Sequence, residues 1–177
     1  MLLTGMLLTG AAQAEDCLIT ISQPEVDYNQ IRRDDIVTTQ QNWHKFAERE
    51  ITISATCPEK KVMAVLAQGI AGEKGRFLFG SQGGVGVRLD KIIVDGQAYT
   101  PGKTVDQVNF TPESGVSTPM YLRNNEAVIA VDNNVVQEGK QLMMAVTLFP
   151  VLNESMFSGI ADQTTIESDI TWRLLTK

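Results

Sequence analysis

The chain has 177 residues, 43% of them hydrophobic and 20% charged, enough for one folded domain and too few for two. Fifteen Lys and Arg against twenty-one Asp and Glu give a net charge of −6, which disfavours nucleic acid and anionic lipid as partners. One histidine and two cysteines are too few for a four-ligand zinc site and leave a single imidazole for any catalytic triad, so neither a cofactor nor a metal is expected.

Residues 1–14 carry no charge and end in Ala12-Gln13-Ala14, a small-x-small cleavage signal. They read as a secretory signal peptide too short to span a bilayer, with Glu15 opening a mature domain over residues 15–177. The basic segment that usually begins such a peptide is missing, which points to an atypical start or an initiator upstream of Met1. The alternative is a soluble, apolar N-terminal strand. Export would place the cysteines in an oxidising compartment.

Cys17-Leu18-Ile19-Thr20-Ile21-Ser22 alternates, with Cys17, Ile19 and Ile21 on one face, and Pro24 is expected to stop it. Residues 50–57 alternate again, Ile51, Ile53, Ala55 and Cys57 together, until Pro58. Both thiols therefore share the isoleucine face of their strands and point into one core. A buried Cys17–Cys57 disulfide follows, closing a loop of about forty residues, with two reduced core cysteines as the alternative. Between the two strands, Trp43, Phe46 and Ala47 fall at helical spacing, and a turn or two of helix is expected within residues 42–50.

Residues 61–67 are apolar on both faces, 76–79 form a short run, and 85–94 read as a strand leading through Asp95-Gly96 into Gln97-Ala98-Tyr99, the best hairpin signal in the chain. Residues 126–131 precede Asp132-Asn133-Asn134, residues 142–148 are almost wholly apolar, and 166–174 alternate with Ile166, Ile170, Trp172 and Leu174 on one face. Short strands separated by turn residues imply an all-β sandwich.

Catalytic patterns fail on their spacing. In Phe79-Gly80-Ser81-Gln82-Gly83 the position two before the serine is Phe79, where a nucleophile elbow needs glycine. Gly83-Gly84-Val85-Gly86 matches a phosphate loop only in glycine count, and a turn or bulge is expected there. His44, in a polar run, reads as a solvated loop residue. Asp34, Asp35, Asp90 and Asp95 read as solvated surface carboxylates. A small hydrolase using Ser81 or His44 ranks last.

With Ala12-Gln13-Ala14, Cys17 and Cys57, the Gly84-Val85-Gly86-Val87-Arg88-Leu89 segment and the C-terminal strands over 142–152 and 164–175, the chain resembles subunits of bacterial chaperone–usher pili. That resemblance implies an immunoglobulin-like, pilin-type sandwich lacking its last strand. It implies an apolar groove, filled first by a periplasmic chaperone, then, after delivery to an outer-membrane usher, by a neighbouring pilus subunit. The groove is expected to be bordered by Ile19 and Ile21 of the first strand and by Ile166, Ile170, Trp172 and Leu174 of the last. The apolar strand bearing Leu142, Met144, Val146 and Leu148 is expected to contribute to it. Two departures stand out: Thr176 and Thr164 occupy positions where the family commonly has a penultimate tyrosine and an earlier glycine, with Trp172 supplying bulk. Only Glu15 and Asp16 separate the expected cleavage point from Cys17, so the subunit is expected to accept a donor strand but not to give one. A subunit that cannot complete another is expected at an end of a surface fimbria, in a minor or tip position; whether it adheres to a host or surface receptor is left open. The rival is a free secreted sandwich that binds carbohydrate or protein through its loops.

Overall fold

The computed structural model describes residues 16–23, 28, 31–114, 116, 118–157 and 169–177. They form twelve strands and no α-helix: β1 (Leu18–Ile21), β2 (Thr38–Gln40), β3 (Trp43–Lys45), β4 (Arg49–Gly69), β5 (Phe77–Phe79), β6 (Gly83–Val94), β7 (Gln97–Thr104), β8 (Met120–Leu122), β9 (Glu126–Asp132), β10 (Val135–Val136), β11 (Glu138–Asn153) and β12 (Ile170–Thr176). The fold is all-β, as the alternating patterns require. The expected signal peptide, Ile166 and Thr164 lie outside the described residues.

The strands build two layers that share β4 and β7. In the front layer β1 pairs with the first half of β4, β4 with β11, and β11 with β6, all antiparallel. The far edge of β6 is covered end to end by β5, β8 and the start of β7. In the back layer β12 pairs with the second half of β4, β4 with β9, and β9 with the rest of β7. Ile51, Ile53, Leu89, Ile92 and Met144 from the front meet Met63, Val65, Val128 and Trp172 from the back in one buried cluster. Residues 61–67 are apolar on both faces for a visible reason. Met63, Val65 and Ala67 enter that cluster, while Ala64 and Leu66 point the other way into a second cluster plugged by Phe110.

Three local expectations need correction. β4 does not stop at Pro58 but runs on to Gly69. The ladder with β11 shifts register between Gly139 and Gln141, which leaves residues 57–60 without β11 partners, so a residue lacking an N–H breaks no bond there. Residues 42–50 hold β3 and the start of β4 instead of helix; His44 and Phe46, two apart, share the buried side of an extended chain. Gly83-Gly84-Val85-Gly86 is neither turn nor bulge but the start of β6, paired residue for residue with β11.

The Asp95-Gly96 hairpin is present, with both residues at positive φ (48° and 82°) and Val94 paired to Gln97. The Asp95 carboxylate also accepts the backbone N–H groups of Lys140 and Gln141, 2.9 and 2.8 Å away, and so ties the turn to β11.

Candidate functional site: the outer edge of the fourth strand

At Val62, β4 has Glu138 of β11 on one side and Lys177 on the other, the latter exchanging both backbone hydrogen bonds at 3.1 Å. At residues 53–56 it has β11 on one side and β1 on the other. β1 and β12 therefore occupy the same outer edge of β4, one after the other. Both run antiparallel to β4, so the end of β12, at Met63, faces the beginning of β1, at Thr56. Among the described residues no strand pairs with the far side of β1 or of β12. An edge of this kind offers unpaired N–H and C=O groups to another chain.

The side chains on this edge follow the alternation of the sequence. Ile19 and Ile21 of β1 and Ile170 and Leu174 of β12 turn toward the main cluster but are only half-buried, as is Cys17; Trp172 is buried. Their opposites, Leu18, Thr20, Thr171 and Arg173, are exposed. The Cys17–Cys57 bond joins β1 to β4 where β1 begins, with a Cα–Cα distance of 4.3 Å. Alternation placed both cysteines in phase with the isoleucines, and the structure keeps them there.

Leu142, Met144, Val146 and Leu148 are placed differently. They are fully buried in β11, a central strand paired on both edges. Leu142 lies in one inward row with Ala55 and Ile19, and Met144 in the next with Ile53 and Ile21. They stand two strands in from the open edge and do not border it. The near-continuous apolar character of β11 is that of a strand in mid-sheet.

The one histidine corrects its sequence reading. His44 is 7% exposed, because β3 turns it under the end of the sandwich against the ring of Phe157, 5.4 Å between centroids. Its Nδ1 meets the Thr39 hydroxyl at 2.9 Å and its Nε2 the Glu154 carboxylate, which also accepts from Arg33 at 2.6 Å. The Arg33 bond first, and the His44 bond second, hold the Glu154 carboxyl below its ordinary pKa. A strand this short, read within a polar run, gave no sign that one face would be covered. Ser81 sits in the exposed turn between β5 and β6, and both nitrogens of His44 are engaged elsewhere.

Asp34 and Asp35 are exposed, in a 3-10 turn. Asp90 is engaged by Arg88 at 2.9 Å and by the Thr147 hydroxyl at 2.9 Å, so it is more tightly held than a solvated carboxylate. Among the described residues no group of three or more His, Cys, Asp or Glu is placed to hold a metal ion, and no helix is long and apolar enough to cross a membrane. No protein family and no curated protein matches this chain.

Proposed function

We propose that this chain is a structural, non-enzymatic subunit of a surface fimbria, exported to the periplasm, and that its outer β4 edge accepts a strand from a partner. The sandwich is read as a pilin-type, immunoglobulin-like domain. A periplasmic chaperone fills the edge first; after passage to an outer-membrane usher, a neighbouring subunit replaces it. The observation that carries this reading is the pair β1 and β12, laid end to end on one side of β4, open on their far side and with inward apolar side chains only half covered. An added strand would pair its backbone with one or both and place alternate apolar side chains over Ile19, Ile21, Ile170 and Leu174. Covering those four completes their burial, at about 25 cal/mol per Å² of apolar surface.

Co-expression with the chaperone of a chaperone–usher system, followed by co-purification, tests the assignment. The oxidised chain should form a stable one-to-one complex. Ile170→Asp places a charge on the inward face of an already half-exposed position and should abolish the complex, whereas Thr171→Asp, on the outward face, should not. A folded Ile170→Asp chain that still binds would overturn the assignment of the edge.

A further inference from the structure

The outer face of the front layer carries a second feature, remote from the β1–β12 edge and independent of the reading just given. Trp43 of β3 lies half-buried there, with the Lys74 ammonium 5.6 Å and the Arg76 guanidinium 5.7 Å from its ring centroid. Arg76 reaches that position because β6 has glycine beneath it: a β-carbon on Gly84 would stand 2.8 Å from the Arg76 Cδ. A third cation, Arg123, packs over Gly75, its Nε 2.8 Å from where a β-carbon would be; Gly75 sits between Lys74 and Arg76 in a turn where Lys74 and Gly75 both have positive φ. The carboxylate of Glu73, on the same turn, is exposed.

Among the described residues the ion pairs of this chain engage Arg33, His44, Lys45, Arg88 and Lys103, while Lys74, Arg76 and Arg123 enter none. In a chain with a net charge of −6, three unpaired cations at one turn stand against the overall charge. One nitrogen of Arg76, Nη1, is moreover buried without a hydrogen-bond partner, a position that leaves a guanidinium N–H unsatisfied.

We infer that the Lys74–Arg76 turn and the indole of Trp43 form a binding site for an acidic saccharide, a sugar bearing a carboxylate or sulfate. The anionic group lies between the Arg76 guanidinium and the Lys74 ammonium, and the C–H face of the pyranose packs against the face of the Trp43 indole. An extended acidic peptide is the poorer fit. β3 is paired on both sides, by β2 and β11, so a peptide here finds no strand edge and must order a flexible chain for side-chain contacts alone. A rigid sugar ring loses less.

The two tryptophans separate the readout. In Trp172→Phe, Trp43 is the sole indole reporter, and its fluorescence should change saturably with sialyllactose or a heparin-derived tetrasaccharide and not with lactose. Lys74→Gln and Arg76→Gln should each weaken that binding about tenfold, the worth of one charge-assisted contact. Lys140→Gln, a cation elsewhere on the surface, should leave it unchanged. If Trp172→Phe fails to fold, the indole N–H signal of Trp43 in the otherwise unaltered chain gives the same titration. No saturable response to either acidic sugar, affinity untouched by Lys74→Gln and Arg76→Gln, or binding of a hexaglutamate peptide at least as tight would each overturn the proposal.

Discussion

Phe149 lies flat across the strand beside it and leaves Gly86 room for nothing larger than hydrogen: a β-carbon there would be 2.0 Å from the ring. Gly86→Ala should therefore force the ring off its seat, at a cost of about 1–3 kcal/mol in urea denaturation, most of it recovered when Phe149→Ala is added. Sequence alone showed only that glycines cluster at 83–86. That they serve packing across a paired strand depends on which residues of β11 lie alongside, a long-range fact that no local pattern carries.

Tyr28 yields a pH dependence. Its ring packs edge-on against Phe79, 5.6 Å between centroids, and its hydroxyl is buried without a hydrogen-bond partner. Burial pushes its pKa up to about 12, against a smaller opposing pull from Arg49. The folded state thus favours the neutral phenol. This contribution is complete below the unfolded value near 10 and is lost as pH rises from there toward about 12. Melting temperatures recorded across that range should fall, and Tyr28→Phe should flatten the alkaline limb. At neutral pH the same variant should be no less stable, since it removes an unsatisfied hydroxyl.

At the scale of elements, β1 depends most on its covalent tie. It is four residues long, lies on an edge, and holds β4 through one ladder and the Cys17–Cys57 bond. Replacing both cysteines by serine should cost about 2–5 kcal/mol and should release β1 before the rest of the front layer, seen as early loss of amide protection in residues 18–21. The elements best read from sequence were those whose pattern is local. The Asp95-Gly96 turn needs only two positive-φ residues, and the strands at 17–21 and 50–57 need only strict alternation beside one core. The elements misread were those decided by tertiary position. Pro58 is tolerated because β4 has no β11 partner there as it passes between layers. The spacing of Trp43, Phe46 and Ala47 mimics a helix, yet pairing with β2 and β11 draws residues 43–45 into a sheet. His44 owes its burial to Glu154 and Phe157, more than a hundred positions away.

For the whole molecule, the sharing of β4 and β7 between layers leaves one long side of the sandwich to two short strands from opposite ends of the described chain. β7 carries the chain between the layers on one side, and on the other, among the described residues, the outer edge of β4 is paired by β1 and β12 alone. Ile19, Ile21, Ile170 and Leu174 there are among the partly buried residues packed against the main core. The same arrangement explains why apolar character alone did not locate the edge. β11 carries a nearly continuous apolar run over residues 142–148 and lies in the middle, whereas β1 and β12 alternate and turn Thr20, Thr171 and Arg173 to solvent.

The most direct measurement is amide hydrogen exchange, followed by mass spectrometry, on the oxidised chain alone and in complex with a chaperone of the chaperone–usher type. Strand addition at the outer β4 edge should bring new protection to residues 18–21 or 170–176, or to both, and leave β6 and β11, already paired on both sides, unchanged. Protection gained only along β2, or only along β5 and β8, with none at β1 or β12, would contradict it.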